Sequence, residues 1–369
     1  MTSPTGLANL PSPALIFDVD AIERNLKEMI AQVGGDASRL RPHIKTHKCR
    51  EILKWQLRLG ISSVKCATIA EAELAADSGV PDVLIAYPLI GQNALRLHQL
   101  ARAFPETKFA TVVDSARGIE DLSSGPESLS VYIDLNCGMS RTGTRPGPEL
   151  IQLARSVSET PNLTFVGIHA YDGHIHDAEV TDRLRAFTAA MKELETSLTD
   201  FATAGIEVPA IVSGGSPTLI MHSASAMPST IPWQCSPGTT VLWDAGYGHA
   251  FNDLDFEPAA FLLTRVVSRP SDSLACLDLG HKAVSAENPI DNRVRFADHP
   301  GLVFRSQSEE HLVVEVEENS TLSVGTELIG VPWHVCPTVA LYDEAWIVRN
   351  GEVTGETWAI EARRRRLSV

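Results

Sequence analysis

The chain has 369 residues, 44% of them apolar and 21% charged, and its 31 lysines and arginines against 46 aspartates and glutamates leave a net charge of −15. This composition sustains a full hydrophobic core and excludes a disordered chain or a small disulfide scaffold, while the negative balance repels nucleic acids and anionic membranes and makes small molecules the expected partners. No apolar run reaches the ~20 residues of a membrane span, and residues 1–10 lack the basic and apolar regions of a signal peptide, so a cytoplasmic location is expected. The six cysteines, at 49, 66, 137, 235, 276 and 336, form no CxxC pair. They read as reduced thiols, all but Cys336 as core residues.

Residues 14–19 predict a strand. Asp20 can cap the helix that follows, in which Ile22, Leu26, Met29, Ile30 and Val33 fall on one stripe ending at Gly34-Gly35. Strands are predicted again at 41–45, 62–67, 82–87, 108–113, 128–134, 163–169, 207–213 and 229–234. Between them lie helical stretches such as 92–103 and 182–203, and Thr68-Ile69-Ala70-Glu71 reads as a capping box. Nine strands with about 20 to 40 residues between most of them have the rhythm of a (β/α)8 barrel, with one strand surplus. No GxGxxG follows the first strand and no GxxxxGK[ST] occurs, so nucleotide-binding readings lack support. After about Pro237 the pattern changes to strands without long helices, at 240–243, 260–267, 274–279, 312–317, 327–331 and 345–349. The expected organisation is a barrel over 15–235 and an all-β domain over 236–369, with the 363–366 arginine run as a solvated tail.

In a barrel, functional side chains collect where strands end. Residues 41–48 read RPHIKTHK, where Lys45 beside His43 and His47 is either a poorly hydrated amine suited to imine formation or part of a cation-rich surface turn. Arg141, in the glycine-bearing loop after Asp134, can meet an anionic oxygen or a neighbouring carboxylate. Ser213, Gly214, Gly215 and Ser216 open a helical turn that suits a phosphate or is a plain capped turn. Residues 169–177 hold His169, His174 and His176 within eight positions around Tyr171, as acid–base or metal chemistry or as a polar loop. His334 and Cys336 share one face of an extended chain and can reach one metal ion in an open site, or are core residues.

Taken together, these motifs resemble the fold-type III pyridoxal phosphate enzymes, which share the alanine racemase fold, and within them the metal-activated D-threonine aldolase and D-serine dehydratase-like group. The resemblance runs nearly the whole chain, carried most specifically by residues 41–48 and by 332–338 (PWHVCPT), with ATIAEA at 67–72 and DLGHKA at 278–283 between them. It implies an α/β fold with a TIM-type cofactor-binding barrel and a C-terminal β domain that takes up the surplus leading strand within 1–20. It implies that Lys45 carries pyridoxal 5′-phosphate as a Schiff base, with His43, Arg141, Tyr171, Ser213, Gly214, Gly215 and Ser216 as cofactor-binding residues. It further implies that His334 and Cys336 hold a divalent metal, zinc favoured by the thiolate over manganese or magnesium, and that the enzyme is a homodimer.

The substrate so implied is a D-3-hydroxy amino acid. Retro-aldol cleavage to glycine and an aldehyde, with His174 or His176 as the base, stands ahead of dehydration on the histidine-rich loop, whereas the His-x-Cys spacing favours dehydration. An amino-acid racemase and a non-catalytic cofactor-binding protein share the fold, but the first needs no metal pair and the second no β domain.

Overall fold

The computed structural model describes residues 4–225, 230–317 and 321–369. The chain divides into two compact units, one of Met29–Lys45, Arg50–Gly238 and Arg364–Val369, the other of the N-terminal residues to Glu28, Thr46–Cys49 and Thr239–Arg363. It begins with strand β1 (Ala14–Asp18) and helix α1 (Val19–Gln32). Asp18, not Asp20, caps α1: its Oδ1 accepts from the N–H groups of Asp20 and Ala21 at 3.0 and 3.1 Å. Only the residue ahead of the first turn has its side chain beside the orphan donors, and Asp20 instead accepts from the Asn350 N–H at 2.5 Å. Of the expected stripe, Ile22, Leu26, Met29 and Val33 are buried and Ile30 is half-buried.

The barrel unit is built on seven parallel strands hydrogen-bonded in chain order: β2 (Ser63–Cys66), β3 (Asp82–Ile85), β4 (Lys108–Val113), β5 (Leu129–Asp134), β6 (Leu163–Ala170), β7 (Ile211–Ser213) and β8 (Trp233–Cys235). Helix α2 (Arg50–Arg58) precedes β2. The crossovers are α3 (Ile69–Asp77), α4 (Gln92–Ala103), α5 (Ala116–Ser123), α6 (Pro148–Glu159), α7 (Val180–Thr203) and α8 (Leu219–Ala224). The strand expected at 229–234 begins at a residue outside those described. The capping box is displaced by one residue: Thr68 Oγ1 accepts from the Glu71 N–H at 3.1 Å, but the Glu71 carboxylate reaches the Ala67 N–H, at 2.7 Å.

The strand expected at 41–45 is not one. Leu40 bridges Cys235 of β8 and His43 bridges Lys65 of β2, both in parallel sense, so one irregular segment bonds to both edges of the sheet and completes an eight-membered ring. Pro42 has no N–H for a regular ladder, although its carbonyl accepts from the Lys65 N–H at 2.9 Å. Leu84, Ala110, Val112, Tyr132 and Val212 pack together on the sheet. At β6, Gly167 has φ +142° and a Cβ there would lie 2.0 Å from the Ala210 carbonyl oxygen; only glycine permits strands this close.

The other unit holds helix α9 (Ala245–Ala250) and a mixed sheet of β9 (Ala260–Ser271), β10 (Leu274–Leu277), β11 (Val294–Arg295), β12 (Val303–Gln307), β13 (Leu312–Glu315), β14 (Glu327–Pro332), β15 (Glu344–Arg349) and β16 (Glu352–Ala359), with helix α10 (Val335–Val339) after β14. The surplus leading strand joins this sheet: β1 lies antiparallel to β9 and parallel to β15, and Leu7, Leu10, Ala14, Ile16, Phe261, Leu263 and Val348 pack as one core. One local expectation fails here. Residues 240–243 form no strand, since Thr240 and Val241 lie in a 3₁₀ turn at Thr239–Val241 and the Trp243 N–H is taken by the Thr239 carbonyl at 2.6 Å. The arginines at 363–366 are exposed as expected, and the Arg363 guanidinium pairs with Asp343 at 2.5 Å. No helix among the described residues is long and apolar enough to cross a membrane.

Ring closure rests on one buried cation. Arg41, 2% exposed, meets Asp82 through two parallel hydrogen bonds of 2.7 and 2.9 Å and donates from Nε to Gln234 at 2.7 Å. Truncation in Asp82→Ala leaves that guanidinium buried and unpaired, so a loss of about 3 kcal/mol is expected, measured as a lower urea midpoint at unchanged slope.

Candidate active site

The strand ends bring several expected residues together. Lys45 is half-buried in the turn that follows the closing segment, and its backbone N–H donates to His43 Nδ1 at 3.2 Å, which fixes the orientation of that ring. From β5, Asp134 accepts from Thr142 at 2.7 Å and meets His169 Nδ1 of β6 at 2.7 Å. Burial lowers the His169 pKa against the opposing pull of Asp134. A neutral ring bonded through Nδ1 leaves a lone pair on Nε2, which is buried without a partner.

Tyr171 follows β6 with two cations against its ring, Lys65 Nζ at 5.0 Å and the Arg141 guanidinium carbon at 5.2 Å from the centroid. Lys65 comes from β2 and is 2% exposed. Burial, with Lys45 and Arg141 in support, brings its pKa down to about 7. Cys137 donates to the Tyr171 carbonyl at 3.4 Å, and burial pushes its thiol up to about 12, which disfavours the thiolate.

The 213–216 turn is held from behind. Asp172, buried, meets His222 Nε2 at 2.8 Å, and His222 Nδ1 lies 3.1 Å from Ser213 Oγ, which also accepts from the Trp233 indole. Gly214 has φ +79° and a Cβ there would lie 2.4 Å from the His222 ring, so glycine lets the turn close over the histidine. Ser216 Oγ accepts from the Gly238 N–H at 3.0 Å.

The histidine pair of the 169–177 loop does not converge. His174 packs against Gly138, beside a cavity of about 380 Å³ lined also by Asn136, Arg145 and Glu193, with Nδ1 buried and unpartnered. His176 is exposed. Sequence reasoning gives no role to Asp172 or His222, and nothing local marks His222; Lys65, a lysine within the apolar run SVKC, ranks there only with Lys48 behind Lys45 as an anchor.

In the other unit, His334 and Cys336 are not on an extended chain: His334 precedes α10 and Cys336 lies in its first turn. A helix start still lets the two side chains hydrogen-bond. His334 Nδ1 meets Glu287 at 2.5 Å, and Cys336 Sγ lies 3.2 Å from Thr46 Oγ1 and 3.7 Å from Thr239 Oγ1. Burial disfavours the His334 cation, but Cys336, Glu287 and Asp244 outweigh it and raise its pKa to about 9. Among the described residues no three His, Cys, Asp or Glu side chains gather as a metal cluster. The pair nevertheless suits a metal with open positions, because a ligating histidine characteristically carries a carboxylate on its other nitrogen, as Glu287 stands here.

Residues 17–231 match the family model "Alanine racemase, N-terminal domain", and residues 259–348 match "Putative serine dehydratase domain". The chain is 31% identical to a 3-hydroxy-D-aspartate aldolase of Paracoccus denitrificans, covering 96% of this chain and 93% of that one. It is 30% identical to a D-threonine aldolase of an Arthrobacter species, covering 97% and 94%. The crystal structure of D-threonine aldolase from Filomicrobium marinum superposes with a TM-score of 0.87 at 30% identity, covering 97% of each chain.

Burial raises the Asp172 pKa, but the charge and hydrogen bond of His222 more than offset it and hold the carboxyl below its ordinary 3.8. A depressed folded value contributes stability above the unfolded pKa that is lost as pH falls. The stability gap between wild type and Asp172→Asn is therefore expected to be present at about pH 5 and to close below about pH 4. Urea unfolding across that range measures it, and a pH-independent gap contradicts the assignment.

Proposed function

The chain belongs to the alanine racemase N-terminal domain family and is a pyridoxal phosphate-dependent lyase, and we propose that it cleaves D-3-hydroxy amino acids between Cα and Cβ to give glycine and an aldehyde. The observation that carries this reading is the likeness to two named aldolases over 96% and 97% of the chain.

The barrel mouth fits the cofactor. It offers a half-buried amine at Lys45, the buried cation of Lys65, an orphaned His169 Nε2 and a glycine cradle at Gly214. Lys45 Nζ is the covalent anchor, His43, Arg141 and Tyr171 border the ring, and the turn of Ser213, Gly214, Gly215 and Ser216 takes the phosphate. Bound there, pyridoxal phosphate supplies an electron sink for the pair released at Cα. His174 or His176 removes the proton of the substrate β-hydroxyl. His334 and Cys336 hold a divalent metal, zinc ahead of manganese or magnesium because one donor is a thiolate, and a metal so held supplies Lewis acidity toward a hydroxyl oxygen. The active form is a homodimer.

A second reading, dehydration of D-serine or a related amino acid, is favoured by the Cys336 donor and by the match of residues 259–348. In that reaction Lys45 removes the Cα proton.

Product analysis with D-threonine separates the two. Glycine and acetaldehyde are expected, whereas 2-oxobutanoate and ammonia replace the aldolase reading with the dehydratase. Lys45→Ala is expected to lose the cofactor adduct that borohydride fixes in the wild type; an adduct that persists moves the anchor elsewhere. Chelation is expected to abolish turnover while cofactor absorbance stays, and full activity in metal-free protein defeats the metal assignment.

A further inference from the structure

Resting on the reading that the barrel mouth binds pyridoxal phosphate, we propose that Lys65 is a further cofactor-binding residue, whose ammonium pairs with the phenolic oxygen of the pyridoxal ring from the side opposite the phosphate turn. Lys65 is 2% exposed, and its ammonium stands against the face of Tyr171, 5.0 Å from the ring centroid. Asp134 and Asp172 act on it through space, but their hydrogen bonds go to Thr142, His169 and His222. A buried cation with no hydrogen-bonded counter-ion is a cost to the fold, and an anion arriving at the site relieves it.

The ring order indicates which anion. Pyridoxal phosphate carries its phenolic oxygen and its phosphate-bearing arm on opposite edges of the pyridine. The hydroxyl and glycine turn follows β7, while Lys65 stands on β2, next to the closing segment that leads into Lys45, with Arg141 beyond β5 as the second cation on the Tyr171 ring. The two cations on Tyr171 are thus available to the edge that the phosphate turn does not serve. The lowered pKa of Lys65, caused first by burial and then by Lys45 and opposed by Asp172 and Asp134, describes the same unsatisfied charge.

The test compares wild type, Lys65→Met and Lys65→Arg as apoproteins titrated with pyridoxal phosphate and with its 3-O-methyl ether, which has no phenolate. Lys65→Met is expected to weaken pyridoxal phosphate binding about tenfold or more and to shift the visible band. Lys65→Arg is expected to recover most of the affinity, and the penalty should vanish with the 3-O-methyl ether. The melting temperature of the Lys65→Met apoprotein should be unchanged or higher, because an apolar side chain of similar length removes a buried charge. Affinity within twofold of wild type with an unchanged band overturns the proposal, as does an equal penalty for both ligands. Should Lys65→Met not fold, Lys65→Gln, which removes the charge and keeps a polar side chain, is titrated in its place with the same expected and overturning outcomes. If wild type itself binds no pyridoxal phosphate, the underlying reading falls, an outcome distinct from a Lys65→Met variant that binds normally.

Discussion

Everything at the barrel mouth depends on how the ring is closed. Seven strands pair in order, but the eighth place is taken by an irregular segment that hydrogen-bonds to β8 through Arg41 and to β2 through Pro42 and Ile44. Because Pro42 cannot continue a ladder, the chain leaves the ring at once into a turn, and Lys45 stands in that turn rather than within a strand. The Arg41–Asp82 pair fastens the same segment from inside. A buried guanidinium is a strong constraint here because it is nearly inaccessible to water and is satisfied only when segment, β3 and β8 are all in place.

Above that closure the barrel concentrates buried polar groups in two chains. One runs from Thr142 through Asp134 to His169 and ends on a ring nitrogen with no partner; the other runs from Asp172 through His222 to Ser213 and Trp233. The first presents an unspent ring nitrogen, as a site built to receive a ligand does, while in the second both ring nitrogens of His222 are engaged and hold the glycine turn in shape. The division explains why the two buried histidines, alike in having an aspartate partner, serve different ends.

The second unit shows how a short motif can survive a wrong local picture. The alternation places His334 and Cys336 on one face of an extended chain, and the chain instead begins a helix between them. Their side chains still meet, because the residue ahead of a helix and one in its first turn lie close together. Glu287, 47 residues earlier, supplies the carboxylate that orients the histidine.

The sequence by itself determined the alternation that makes a barrel followed by a β domain, the boundaries of strands such as Lys108–Val113 and helices such as Gln92–Ala103, and the motifs around Lys45 and Cys336. These are legible because hydrophobic period and turn chemistry are local. Tertiary structure alone decided that residues 40–44 bridge both sheet edges, that Asp18 and not Asp20 caps α1, and that Lys65, Asp172 and His222 stand inside the barrel. Each of those outcomes depends on a hydrogen bond or a charge whose partner lies elsewhere in the chain, as Lys65 and Tyr171 do, and no periodicity encodes which distant group will come within reach.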